Sequence, residues 1–160
     1  MRKIYITESQ FEKYIHDNIF NDVIYIGIFL DQESKNKLYQ TTKNLVINHL
    51  GDDVNFVCHH MTVSHISKIN NNIKQWCIEH NGEDFEILTN TIGFNDKACA
   101  VKIDTNIPCT QNFPHITVAT NNTTGGKPVD SNFITSFEKL PETLILKGKL
   151  TFWYKKNNRN

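Results

Sequence analysis

Apolar residues change period several times along this 160-residue chain, and the changes mark its elements. From Thr7 to Phe20, the residues Phe11, Tyr14, Ile15 and Ile19 recur on one face at helical spacing, and Thr7 with Gln10 has the form of a capping box. Ile24 to Leu30 is a continuous apolar run rich in β-branched and aromatic residues. It predicts a strand buried on both faces, with Gly27 marking a bulge or a close backbone approach. Asp31 to Leu50 reads as a second helix: Leu38, Thr42, Leu45, Val46 and His49 fall near one face, Asp31 or Ser34 caps the start, and Gly51 stops it. Asn55 to Ile66 predicts one strand, and Asn70 to His80 a shorter helix carrying Ile73, Trp76 and Cys77.

Phe85 to Phe94 and Ala98 to Asp104 read as antiparallel strands joined by a hairpin at Asn95-Asp96-Lys97. Phe113 to Thr120 predicts another strand, and Asn121 to Asp130 a polar loop. Ser131 to Leu140 then predicts a short helix closed by Pro141, before two final strands at Leu144 to Leu146 and Leu150 to Tyr154. The domain expectation is an N-terminal helical extension over 1–22, one domain over 23–154, and a frayed tail over 155–160.

Charge narrows the partners. Seventeen Lys and Arg balance seventeen Asp and Glu. That excludes a basic domain gripping duplex DNA by its phosphates, but leaves room for a nucleotide or an RNA end held in a local pocket. Arg occurs only twice, so bidentate phosphate clamps are scarce. The N-terminus lacks the apolar core of a signal peptide, no apolar run is long enough to span a membrane, and the four cysteines form no CxxC. The expectation is a cytoplasmic chain with reduced thiols.

The strongest chemical signal is a repeat. His60-Met61-Thr62-Val63 and His115-Ile116-Thr117-Val118 share the form His-apolar-Thr-Val. Seven His and fifteen Thr give about 0.6 His-x-Thr by chance, but requiring the apolar second and Val fourth positions lowers that to about 0.01. Alternation along a strand puts His60 with Thr62 on one face and Met61 with Val63 on the other, and likewise in the second copy. If the two strands share one cleft, one imidazole can accept a proton from water while the other protonates a leaving oxygen. The two hydroxyls can bond the non-bridging oxygens of a phosphodiester.

These residues resemble the 2H phosphoesterase superfamily. Further segments are similar to its branch of tRNA-ligase-type cyclic phosphodiesterases and RNA-repair-like proteins: Tyr25-Ile26-Gly27-Ile28-Phe29-Leu30-Asp31, Cys58-His59-His60-Met61-Thr62, Pro114-His115-Ile116-Thr117-Val118 and Lys127-Pro128-Val129-Asp130-Ser131-Asn132. The resemblance spans roughly 23–154 and implies an α+β, bilobal fold with two antiparallel sheets facing a central cleft and helices outside. It implies His60, Thr62, His115 and Thr117 as catalytic groups that need no metal or other cofactor. The implied substrate is a 2′,3′-cyclic phosphate RNA end, or a cyclic or 2′-5′ oligonucleotide messenger. The sequence holds no P-loop or ligase domain, so a separate chain would supply any RNA ligase or kinase step. The rival reading is a non-catalytic nucleotide- or RNA-binding module with the same cleft.

Several residues are weaker candidates for touching substrate. Lys127, in the Gly125-Gly126-Lys127-Pro128 loop, offers charge to a phosphate. Tyr25 and Phe113 offer rings to stack a base, as does Trp153. Ser131 and Asn132 either cap the following helix or meet the substrate. Cys58, His60, Cys99, Cys109 and His115 match no zinc spacing. His16, His49, His59, His65 and His80 lie outside the repeat and read as surface or helix residues.

Overall fold

The computed structural model describes residues 5–155, the side chains of 15–17 excepted. Helix α1 (Glu8–Ile19) is followed by β1 (Val23–Leu30), α2 (Gln32–Leu50), β2 (Val54–Phe56) and β3 (His60–His65). Then come α3 (Asn71–Glu79), β4 (Asp84–Phe94), β5 (Ala98–Asp104), β6 (His115–Asn121) and β7 (Phe137–Tyr154). Short 3₁₀ turns occupy Ile66–Lys68 and Pro128–Phe133.

The expected starts hold where side chains satisfy the free backbone N–H groups. Thr7 and Gln10 form the capping box of α1, and the Asp31 carboxylate accepts from the Ser34 N–H at 2.7 Å to start α2. That same bond holds the Asp31 carboxyl below its ordinary range. Asn70 caps α3 through the Ile73 N–H.

The strands pair in the order β6-β3-β1-β7-β4-β5, and β5 pairs back to β6. This closes a ring of six antiparallel strands, with β2 beside β6 as the seventh. The fold is therefore α+β, as expected, but its strands join into one closed sheet, so the expectation of two separate sheets holds only in part. The inner faces of β1, β3, β6 and β7 bury Ile26, Ile28, Met61, Val63, Ile116, Val118, Leu146 and Leu150. Each such side chain contributes about 1.5–3 kcal/mol when removed from water. Helix α2 lays Leu38, Thr42 and Val46 on this core.

Four expectations need correction. Phe11 and Tyr14 of α1 are 51% and 63% exposed, so they do not join the core; α1 touches α3, and among its described side chains Ile19, at the C-terminal end, packs inward. Ile15 belongs to the expected face but its side chain lies outside the described set.

The single strand expected over Asn55 to Ile66 breaks at Cys58, whose φ of 44° is left-handed. Backbone bonds from Val57 and Cys58 to Val118 and Thr117 hold that turn.

The helix expected from Ser131 to Leu140 is instead a 3₁₀ turn ending at Phe133, then one long strand through Pro141. Proline is accommodated because the β4–β7 register shifts there: Lys139 pairs Thr91 and the next pairing is Leu144 with Thr89. The two expected final strands are one, since Gly148 pairs directly with both Leu30 and Phe85.

Candidate functional site

The two repeats meet at one ladder position, the antiparallel pairing of Met61 with Ile116. Facing residues in an antiparallel pair point to the same side. With Met61 and Ile116 both turned into the core, His60 lies across from Thr117 and Thr62 across from His115, all four on the opposite face. The pair is thus related by an approximate two-fold rotation. Beyond this pairing β3 and β6 diverge. The left-handed turn at Cys58, held to β6 by the Val57 and Cys58 N–H groups, separates β2 from β3 just before His60.

The gap is a cleft of about 300 Å³ lined by Tyr25, Val57, His60, Thr62, His65, Lys68, Gln111, His115, Thr117, Pro128, Val129 and Asn132. All four repeat residues line it. A larger depression, about 570 Å³, lies over the β1–β7–β4 face. Its Lys147 and Lys149 are matched by Glu86 at 3.8 Å and Asp84 at 3.1 Å, and Asp31 adds a third carboxylate, so it repels phosphate.

Backbone and aromatic neighbours position each imidazole. The His115 Nδ1–H donates to the Phe113 carbonyl at 2.9 Å, which leaves Nε2 as the working nitrogen. His60 packs against Tyr25 and Phe29, with ring centroids 5.0 and 4.9 Å away. It fits there because Gly27, between those two residues, has no side chain: a Cβ would sit 2.7 Å from the Met61 carbonyl and 3.3 Å from the His60 ring. The β1–β3 register also shifts at Gly27, so the bulge expected from sequence is present.

Burial disfavours charge on both imidazoles. The His60 pKa falls to about 3, from desolvation first and then from the neighbouring His59, His115, His65 and Lys35. His115 is lowered too, by desolvation, against which its bond to the Phe113 carbonyl works. The Phe113 carbonyl, by accepting the His115 Nδ1–H, favours the charged form of His115 and marks it as the proton carrier of the two.

The threonines differ. Thr62 is half-buried in the cleft wall. Thr117 lies 2.9 Å from the fully buried Ser131 hydroxyl and 3.4 Å from the Pro128 carbonyl. When Ser131 donates to Thr117, the Thr117 O–H keeps only that long carbonyl contact, and a phosphate oxygen can compete for it.

Of the weaker candidates, Tyr25 lines the cleft; burial pushes its phenol up to about 12, so it stays neutral. Phe113 stands behind His115, at 4.8 Å, and Ser131 behind Thr117. Lys127 is outside the lining, and its backbone N–H bonds Asp130 at the 3₁₀ turn. Trp153 stacks on Phe29 at 5.3 Å. Cys58 is buried with its thiol raised to about 12, and among the described residues no three His, Cys, Asp or Glu converge as a metal site. Sequence reasoning passed over His59, which touches His60, and His65 and Lys68, which line the cleft. It also passed over Gln111 as a lining residue; Asn132, weighed as a cap or a substrate contact, lines the cleft, and its buried Oδ1 has no partner among the described residues. The signal available was proximity to the repeat: His59 precedes it directly, and His65 and Lys68 follow in the same strand and turn.

No family model matches the chain, and no curated protein matches it. Among solved structures it is similar in fold to a fungal RNA kinase, at 14% identity and a TM-score of 0.51. The match covers 83% of this chain and 44% of the kinase, so the chain spans less than half the length of that protein. No described helix is long and apolar enough to cross a membrane.

Proposed function

We propose that this chain is a metal-independent phosphodiesterase of the 2H type, opening 2′,3′-cyclic phosphate ends of RNA. The observation that carries the reading is the convergence of His60, Thr62, His115 and Thr117 on one face of a single cleft. Likeness to an RNA kinase favours an RNA end over a free nucleotide messenger. Exposed His65 and Lys68 at the cleft suit a neighbouring backbone phosphate, and the orphaned Asn132 Oδ1 suits a donor on the nucleotide.

The chemistry follows from the proton affinities. His60, neutral, takes a proton from water on Nε2 as the water oxygen bonds to phosphorus. The bond to the 2′ or 3′ oxygen breaks, and that oxygen takes the proton from His115 Nε2–H. Both imidazoles return to their starting states by exchange with solvent. The two Thr hydroxyls donate to the non-bridging oxygens as charge builds.

Purified protein in EDTA, offered cyclic-phosphate RNA, cyclic nucleotides and 2′-5′ oligonucleotides, is expected to open the cyclic RNA end at an undiminished rate. Added Zn²⁺ is expected to inhibit by occupying the imidazoles. A rate that requires metal and has a single rising pH limb would indicate a metal-bound hydroxide and overturn the reading. Tight binding without turnover would leave only a binding module.

The threonine variants separate chemistry from support. Thr62→Val and Thr117→Val keep the branched shape, and each is expected to raise the barrier by about 2–4 kcal/mol. Only Thr117→Val also strands the buried Ser131 hydroxyl, so it alone is expected to lose about 1–3 kcal/mol of stability. Denaturant unfolding alongside single-turnover rates checks both; equal stabilities would remove Ser131 from its supporting role.

A further inference from the structure

His59 stands immediately before the first repeat, and its Nδ1 lies 2.9 Å from the Nδ1 of His60. The two rings meet edge to face, with centroids 5.1 Å apart. His59 is itself fixed by edge contacts to Phe29 at 5.0 Å and Trp153 at 6.0 Å. A ring held this firmly at hydrogen-bond distance dictates where its neighbour's proton sits.

The constraint is one of proton counting. A neutral imidazole carries one N–H, and an Nδ1···Nδ1 bond needs one proton between its two atoms. When His60 accepts a proton on Nε2, it becomes an imidazolium with N–H at both positions. The contact then survives only if His59 Nδ1 is bare and accepting. Charge on His59 would break it. Burial first, and then Lys35, lower the His59 pKa and keep it neutral.

Resting on the phosphodiesterase reading, we propose that His59 is a positioning residue for His60. Its Nδ1 accepts from the His60 Nδ1–H and so holds the His60 Nε2 lone pair toward the cleft. This matches what a third group does for the base in hydrolytic triads: it selects the tautomer and orientation without taking the proton. A neutral acceptor leaves the His60 charge uncompensated, in keeping with the low proton affinity of His60. The other titratable groups that bear on His60 are His65, on its own strand, His115 across on β6, and Lys35 from α2.

The test is imidazole ¹⁵N NMR of the full chain without substrate, so its result stands apart from the phosphodiesterase assay. At neutral pH, His60 is expected as the Nδ1–H tautomer and His59 as the Nε2–H tautomer. His59→Phe keeps a ring against Phe29 and Trp153 but removes the acceptor. It is expected to move His60 toward the Nε2–H tautomer and lower kcat by about 10–100-fold with KM nearly unchanged. His59→Asn restores a nearby acceptor and is expected to recover part of both effects. An Nε2–H tautomer of His60 in the unmodified protein, or an unchanged His60 tautomer in His59→Phe, would overturn the assignment. A correct tautomer pattern with no turnover of any phosphodiester would leave the pairing standing and remove only the reading of function.

Discussion

Replacing His60 or His115 by alanine is expected to lower turnover of a cyclic-phosphate RNA end by about 10²–10⁴-fold each, the usual worth of a positioned acid or base. The double variant is expected to lose little more than the worse single one, because both groups serve one displacement at phosphorus and their effects do not add. The two singles should differ in stability. His115 packs on Phe113 and bonds its carbonyl, while His60 fills the space over Gly27 between Tyr25 and Phe29. Removing the His60 ring leaves a void beside three aromatic rings, and removing that of His115 frees one carbonyl. Single-turnover rates with circular dichroism separate lost chemistry from lost fold. A folded His60→Ala or His115→Ala protein with unaltered turnover would sink the two-histidine mechanism.

The repeat was legible because strand alternation is local. Given β3 and β6, His60 with Thr62 and His115 with Thr117 must share faces. Their meeting was not legible, since the Met61–Ile116 pairing joins residues far apart in sequence, and no local pattern fixes which strands become neighbours. The ring closure was lost for the same reason: it rests on β5 pairing back to β6. The Ser131–Leu140 error came from the opposite side. Phe137 and Leu140 fit helical spacing, and Pro141 looked like a stop. The β4 ladder outweighs that local preference, and a register shift absorbs the proline. His59 went unseen because a residue adjacent in a strand should point to the other face. It lies before β3 begins, after the left-handed turn at Cys58, where alternation does not apply.

Acid is expected to unfold this protein more readily than a repeat of surface histidines would allow. The ordinary His pKa is near 6.5, and His60 in the fold sits at about 3. Between those values the unfolded chain binds a proton that the folded chain refuses, so stability falls as pH falls. The stabilisation is intact above about pH 6.5 and is lost progressively down to about pH 3. From pH 7 to pH 4 the loss through His60 alone is about 3 kcal/mol, at about 1.4 kcal/mol per pH unit. His115 and His59 are lowered as well and deepen the slope. Asp31, lowered below its ordinary value, loses its contribution in the same acid direction. It is common to wild type and variant, so it cancels in their difference. His60→Phe keeps a ring against Tyr25 and Phe29 and removes the titrating site. Urea unfolding of both proteins from pH 7 to pH 4 is expected to show a shallower decline in His60→Phe, by about one proton's worth of slope. The same displacement moves the rate profile. Unperturbed imidazoles predict a bell centred between about pH 6 and 8. With both lowered, kcat/KM is expected to peak on the acid side of 6.5 and fall tenfold per unit above the His115 pKa, where the acid is lost. Identical stability slopes in wild type and His60→Phe, together with a kcat/KM optimum above pH 7, would show that the cleft leaves its histidines unburdened by burial and that their proton affinities do not divide the roles.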